Sequence, residues 1–409
     1  MSGIIKMDGL SVVHWVEQEP GPIWEEELIQ MADGGKRKLK NIKKGDVIIN
    51  GEGNATKVTK IHILGELESL KITTDSGRTV SSALDHPFLT PVGWVAADKL
   101  SNGDVLALKN NINITSKQSA TIEECRLAGY LIGDGCCTFI RESQVSCNAN
   151  IVSSDPVEGE DIIYCAKSLG FNTHVGGSKG WTYYLSDGAR DWLRDRGIAG
   201  KNTLNKVIPK WVIQSGKNGI ANFLGAYFAC DGSASNDSQR PYIDYYSTNL
   251  GLLQETQSLL LRFGIYTMLR KRNYTPEFQK NRHLLYRLVM RRSDGSMGKF
   301  ADRIPVYGKK RLKIDGFKQT SFDQPYIPDP IIDVQKAGLL PCRCLTVSKG
   351  ESFLVNDIVV HNSGGKESAQ STVKRNAGYI VRLDPVRGDK ELRAEPYAVQ
   401  VDIGNVKIL

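Results

Sequence analysis

The chain has 409 residues, 40% hydrophobic and 24% charged, with a formal net charge of +8. That is the balance of a soluble globular protein with room for two or three cores and a lean toward an anionic partner. It contains no run of eighteen apolar residues and does not open on a charged-then-apolar signal pattern, so membrane insertion and secretion are not expected and a cytoplasmic protein is. Its eight cysteines lack paired Cys-x-x-Cys spacing and read as reduced thiols rather than zinc ligands.

In chain order, Leu10-Ser-Val-Val-His-Trp-Val16 predicts a buried strand that ends before Glu17-Gln-Glu-Pro-Gly21. From Leu28 to Leu108, short β runs (Asp46–Gly51, Val58–Ile63, Leu70–Thr74) alternate with the turns Ala32–Gly35, Lys43–Asp46 and Thr74–Gly77, predicting a compact all-β unit. Near residue 120 the pattern turns helical. Leu127-Ala-Gly-Tyr-Leu-Ile-Gly-Asp134-Gly135 recurs as Leu224-Gly-Ala-Tyr-Phe-Ala-Cys-Asp231-Gly232. Each copy is followed by a helical stretch ending in Leu169-Gly-Phe171 or Phe263-Gly-Ile265, 36 and 33 residues after the respective aspartates. A duplication at that distance predicts two half-domains about a pseudo-twofold axis. Gly129 and Gly133, and Ala226 and Cys230, lie one turn apart, so two such helices can pack backbone against backbone and bring Asp134 and Asp231 together. From Arg262 to Lys313 fifteen Lys or Arg stand against three Asp or Glu, with Tyr274, His283 and Tyr286 interleaved; this reads as a phosphate-binding surface. Residues 310–362 return to short β runs, so the simplest parse is a β unit interrupted by a helical insertion.

The last of those runs is Phe353-Leu-Val-Asn-Asp-Ile-Val-Val-His-Asn-Ser363. The side-chain amide of Asn362 can attack its own carbonyl carbon, closing a succinimide and releasing Ser363. His361 is placed to protonate the leaving nitrogen, and the Ser363 hydroxyl can hold an acyl group as an ester.

Ile358-Val-Val-His-Asn-Ser363, preceded by Cys344-Leu-Thr-Val and Ser352-Phe-Leu, resembles the C-terminal splicing junction of an intein. Ser81-Ser-Ala-Leu-Asp-His86-Pro-Phe-Leu-Thr90 resembles the intein block whose histidine polarises the upstream scissile amide, with Ala83 where a threonine is common. Aligning Met31-Ala-Asp-Gly34 with the intein pattern puts the first intein residue at Pro22, which has no nucleophile. Cys344, in Cys342-Arg-Cys344-Leu-Thr-Val347, stands where many inteins carry Asp. The combination resembles class 3 inteins and implies that an internal cysteine attacks the Gly21 carbonyl, Cys344 first and Cys342 as the lesser candidate. Phe88 and Val360 occupy places where class 3 members carry Trp and Thr; Trp94 is near but out of register.

The duplicated motif resembles the LAGLIDADG (DOD-type) signature of homing endonucleases. This implies Asp134 and Asp231 as catalytic metal ligands, Mg2+ between them, and Lys206, in Asn205-Lys-Val-Ile-Pro209, as an assistant to cleavage. The partner implied is a long specific site in double-stranded DNA, read by strands in the major groove. Excising residues 22–362 would join Val16-Glu-Gln-Glu-Pro-Gly21 to Ser363-Gly-Gly-Lys-Glu-Ser368. The joined text resembles the nuclease region of phage terminase large subunits, which implies a phage or prophage protein in a bacterial cell. Glu17 or Glu19 is a candidate metal ligand there.

The expected fold is mixed: an all-β horseshoe-like splicing (Hint) domain interrupted by an α/β endonuclease of two pseudo-twofold-related half-domains. The expected boundaries are 1–21 and 363–409 for the flanks, 22–115 and 309–362 for the splicing domain, and 116–308 for the endonuclease. A monomer is expected, needing Mg2+ for DNA cleavage and no cofactor for splicing. Two alternatives remain open: an endonuclease of this fold that has lost splicing, and a non-catalytic DNA-binding protein.

Overall fold

The computed structural model describes residues 3–7, 10–14, 21–115, 120–141, 144–186, 188–274, 283–291, 293–317 and 323–362. Ser363, Glu17 and Glu19 lie outside the described residues. Near the start, Gly3–Met7 and Leu10–His14 form an antiparallel pair.

Two strands dominate the β unit, Ala55–Thr74 of 20 residues and Tyr326–Val347 of 22, paired along most of their length in a 12-stranded sheet. The short runs Val58–Ile63 and Leu70–Thr74 are therefore parts of one strand, and residues 326–347 form a single long strand rather than several short ones. What breaks the pattern in the sequence is bulging. Register shifts fall at Cys342/Arg343 and Lys336/Gly338, where Gly65 (φ +77°) and Gly338 (φ +76°) take the left-handed conformation. Such bulges bend a ladder without ending it. Ile23–Trp24 pairs with the long 326–347 strand on its other edge. The hairpin Ser352–Val355/Ile358–His361 closes through Asn356 (φ 49°) and Asp357 (φ 71°), a two-residue turn of the left-handed kind that matches strand twist. Ile23, Phe88, Phe353, Ile358 and Val360 are fully buried in this unit's core.

The helical unit is built twice. Ile122–Gly133 and Lys217–Asp231 are the motif helices, the first opened by a capping box between Thr121 and Glu124. Each leads into a four-stranded antiparallel sheet in which the third strand lies at the edge and the fourth pairs with the second: Gly135–Arg141, Gln144–Val152, Thr182–Leu185, Thr173–Gly176, and Gly232–Ser235, Tyr242–Ser247, His283–Met290, Thr267–Tyr274. The identical order in both halves is the pseudo-twofold relation that the duplication predicts. Ile314 packs into this unit's core, so the helical fold runs past 308, where the sequence reading had it stop.

The two units share a wall. Leu261 and Tyr266 of the helical unit belong to the β unit's core. Arg262 donates to the Gly34 carbonyl at 2.7 Å, Gln257 to Ser76 at 2.9 Å, and the Tyr266 hydroxyl to Asp329 at 2.7 Å. Beneath them Asp357 accepts from Lys36 (2.9 Å), Arg78 (2.9 Å) and Ser258 (2.7 Å), which hold its carboxyl far below the usual carboxylate range against the desolvation of its site. No helix among the described residues is long and apolar enough to cross a membrane.

Candidate splice junctions and nuclease centre

At the upstream junction, Ile23 pairs with Arg343 and Trp24 with Cys342, and Glu25 N–H donates to Pro341 in the same register. Extending that register by one residue sets Pro22 opposite Cys344. On the other edge of the same strand Cys344 pairs with His62, whose Nε2 lies 2.9 Å from Thr346 Oγ1. Directly opposed residues of an antiparallel pair share a face, so the junction proline, the thiol and the imidazole line up across three strands. Cys344 is fully buried. Cys342, the lesser candidate, is buried against the Ser69 hydroxyl at 3.6 Å, and burial pushes its thiol up from the ordinary value.

His86 Nδ1 touches the Gly21 carbonyl oxygen. An oxygen there can only accept, so Nδ1 carries the proton and donates. Burial, opposed by that bond and reinforced by His361, pushes His86 down to about 4, so the ring is neutral at pH 7. Its Nε2 then presents a lone pair, buried and without a hydrogen-bond partner among the described residues. Gly21 is held tightly: a Cβ there would collide with the Asp85 carboxylate and crowd the His86 amide.

At the downstream junction His361 Nδ1 lies 2.6 Å from the Asn362 carbonyl oxygen. The sequence reading had this ring protonate the leaving nitrogen; here it donates to the carbonyl that the Asn362 amide must attack, while burial lowers its basicity. The Asn362 amide nitrogen donates to Gly350 at 3.3 Å, and its Oδ1 is buried without a hydrogen-bond partner among the described residues. The junctions adjoin, since Val360 pairs with Phe88 and the His361 charge is felt at His86. Phe88 and Val360, the two departures from the class 3 pattern, thus face each other, and the aromatic ring against His361 comes from Trp94 at 4.9 Å.

In the helical unit the motif helices approach as closely as their small residues allow. A Cβ on Gly129 would lie 2.7 Å from that of Ala226, and one on Gly133 would strike Cys230. Asp134 and Asp231 meet at the helix ends. Asp134 stays open to solvent at the floor of a cleft of about 710 Å³, yet surrounding protein still raises its carboxyl. Asp231 is pushed up to about 6, by burial first and by the Asp134 charge second, with Lys206 and Lys310 pulling the other way. Lys206 Nζ donates to Gly133 and Gly135 carbonyls at 3.0 and 2.9 Å, capping the end of the first motif helix. Lys310 does the same for the second, reaching Ala229 at 2.5 Å and Cys230 at 2.8 Å. Sequence reading missed Lys310. The signal was there: it follows Asp231 by 79 residues, much as Lys206 follows Asp134 by 72.

Among the described residues the basic stretch 262–313 does not form one phosphate-facing surface; the side chains of Tyr274 and His283 lie outside them. Arg262 is buried at the domain wall, where desolvation lowers it to about 10. Arg287 is engaged by buried Asp244, Arg270 and Arg291 by Asp75, and Lys299 and Arg303 by Asp323. Tyr286 packs against the core. Lys271 and Arg272 remain exposed, and Lys309, Lys310 and Lys313 line the cleft with Asp134.

Residues 218–305 match a family described as a LAGLIDADG-like domain. The chain is 27% identical over 405 residues to the replicative DNA helicase DnaB of Synechocystis, covering 90% of this chain and 45% of that protein. It is 29% identical over 318 residues to DnaB of Rhodothermus marinus (72% and 33%) and 29% identical over 210 residues to RecA of Mycobacterium tuberculosis (49% and 26%). The chain thus spans less than half the length of these relatives. Among solved structures it is similar to an Ssp DnaB mini-intein variant (13% identity, 85% and 96% coverage, TM-score 0.31) and to a DnaB intein from Synechocystis (30% identity, 22% and 69%, TM-score 0.21). Site geometry and family match together support an intein carrying a LAGLIDADG domain. The domain's presence implies DNA binding.

Proposed function

We propose that residues 22–362 excise themselves and ligate their flanks, and that the excised segment is a site-specific double-strand DNA homing endonuclease. The observation that supports the splicing half is the register of Ile23–Trp24 on the long 326–347 strand, whose continuation by one residue would bring Pro22 across from Cys344, together with the contact of His86 with the Gly21 carbonyl. His62 takes the Cys344 proton, and the thiolate adds to the Gly21 carbon, whose oxygen charge the His86 Nδ1–H stabilises. The C–N bond to Pro22 breaks, its nitrogen takes the proton held by His62, and a thioester remains. The acyl group passes to the Ser363 hydroxyl, restoring the thiol. Asn362 Nδ2 then attacks its own carbonyl, polarised by His361, and the Ser363 amine departs. That amine displaces the ester oxygen, giving an amide between Gly21 and Ser363. No cofactor enters these steps.

For DNA cleavage, two under-compensated carboxylates at adjoining helix ends suit a divalent cation such as Mg2+, held by Asp134 and Asp231. Bound there, it lowers the pKa of a coordinated water and neutralises charge on the scissile phosphate. Among the described residues no third acidic, histidine or cysteine side chain converges with Asp134 and Asp231. Lys206 and Lys310 fix the carboxylates electrostatically. The two half-domains supply a dyad within one chain, so the enzyme acts as a monomer, and its setting is the bacterial cytoplasm. The flank sequences support a terminase large subunit as host, whereas the DnaB relatives favour a replicative helicase.

Gel analysis of freshly expressed protein tests the central reading. It expects a 341-residue excised piece and a ligated product of 68 residues, 21 from one flank and 47 from the other. A single full-length band that persists for days would overturn splicing while leaving the endonuclease reading intact.

A further inference from the structure

Each lysine that caps a motif helix is carried on a loop, and each loop is fastened to the opposite half-domain. Lys206 caps the first motif helix, yet its own backbone carbonyl accepts a hydrogen bond from Asn249 Nδ2 at 2.7 Å in the second half. Two residues on, Ile208 N–H donates to Glu255, also in the second half, at 3.0 Å. Lys310 caps the second motif helix, while the N–H of the preceding Lys309 donates to Asp155 Oδ2 at 2.6 Å in the first half. The loop approaches so closely that a Cβ on Gly308 (φ +76°) would lie 2.7 Å from the same carboxylate oxygen.

Asn249 and Asp155 are equivalent under the pseudo-twofold. Each is the buried N-cap of the helix that follows the second strand of its half. Asn249 Oδ1 accepts from Leu252 N–H at 3.1 Å and heads Leu250–Leu261. Asp155 Oδ1 accepts from Val157 N–H at 3.0 Å and heads Pro156–Ser168. One side chain thus does two tasks, starting a helix and gripping the other half's lysine loop. We propose that Asn249 and Asp155 are positioning residues that hold Lys206 and Lys310 from across the dyad, so that each governs cleavage of a different DNA strand.

This rests on the endonuclease reading above. Its logic is symmetry: the strands of a duplex run antiparallel and are themselves related by dyads, so two equivalent carboxylate–lysine sets address one strand each.

Two substitutions remove the grip and keep the cap. Asn249→Asp retains the oxygen that caps Leu252 but loses the donor to Lys206. Asp155→Ser retains one capping oxygen and loses the second acceptor. The substrate is a supercoiled plasmid carrying the uninterrupted joint, codons 1–21 followed directly by 363–409. Products are resolved as supercoiled, nicked and linear, and nicks are assigned by strand-specific end labels. Each variant is expected to cut one strand about tenfold more slowly, so that nicked circles accumulate, with opposite strands spared in the two variants. Equal slowing of both strands, or unaltered product ratios, overturns the inference. If the unsubstituted chain leaves the plasmid intact, the endonuclease reading falls and takes the inference with it. Thermal melting of each variant separates positioning from damage, since a purely structural defect lowers stability without choosing a strand.

Discussion

The splice junctions and the nuclease centre solve opposite electrostatic problems within one chain. At the junctions the titratable groups are neutral: His86 is driven down to about 4 by burial, and both histidines donate Nδ1–H to the carbonyls that must be attacked. A dry pocket with fixed donors stabilises an oxyanion without any ion. At the proposed nuclease centre the Asp134 charge is felt at Asp231, and lysines cap the adjoining helix ends. On the proposed reading, a divalent cation is what balances the two carboxylates. The contrast teaches that burial serves autocatalysis by keeping imidazole neutral, and metal catalysis by making acid pairs avid.

The contrast breaks most sharply under deletion of reacting groups. Asn362→Ala leaves no amide to cyclise and should abolish ligated product, yet leave plasmid cutting at the level of the unspliced chain. Cys344→Ala should remove the thioester at that residue; ligation that continues undiminished would mean another nucleophile. Asp134→Asn with Asp231→Asn should eliminate cutting while gel analysis shows splicing unchanged.

The next effect tests whether the two regions are as separate as their chemistry. Asp357 sits at the hairpin turn before the downstream junction but is bonded to Lys36 and Arg78 of the β unit and Ser258 of the helical unit. Asp357→Asn strands the buried Arg78 guanidinium and the partly buried Lys36 ammonium, a change that costs roughly 3 kcal/mol. Chemical denaturation should register it, and both activities should fall together at 37 °C. The native carboxyl has a depressed pKa, so its contribution is present above the ordinary carboxylate range and lost as pH falls through its folded value. The variant's deficit should therefore shrink in strong acid.

How much of this was legible depends on how far apart the partners lie. The motif helices announce themselves because backbone contact demands small residues at fixed spacing, and Gly129, Gly133, Ala226 and Cys230 are where contact occurs. Asn362 and His361 are legible as reactive types. That the Ile23–Trp24 register leads from Pro22 toward Cys344 is not, since it depends on strands linking residues more than three hundred positions apart. The same distance explains the misread basic stretch: Arg262 finds the Gly34 carbonyl and Arg270 finds Asp75, partners no local window contains. Bulges at Gly65 and Gly338 hid the longest strands. Cys230 also marks the tolerance of the helix contact. Gly133→Ala would push a methyl into its Cβ, and overpacking of this kind costs roughly 1–3 kcal/mol, to be read as a lowered melting point of the helical unit with splicing retained.

The smallest expected effect sharpens the comparison by pH. Asp231 has its folded pKa raised to about 6, so below pH 6 a proton occupies the oxygen a cation needs. The apparent Mg2+ affinity in plasmid cleavage should fall about tenfold for each pH unit under 6 as the two compete. His86 titrates lower, at about 4, and is the same neutral donor throughout pH 5–8. Upstream thioester formation should accordingly show no inflection from His86 in that window, and any slope there belongs to the Cys344 thiol and its base. Without metal the sign of the stability effect reverses for the acid pair. Because Asp231 binds its proton more tightly folded than unfolded, acidification from pH 7 to 5 should stabilise the metal-free protein at this site, and Asp231→Asn should erase that gain. An inflection near pH 6 in splicing, or its absence from the Mg2+ dependence of cutting, would show that burial acts on the two sites alike.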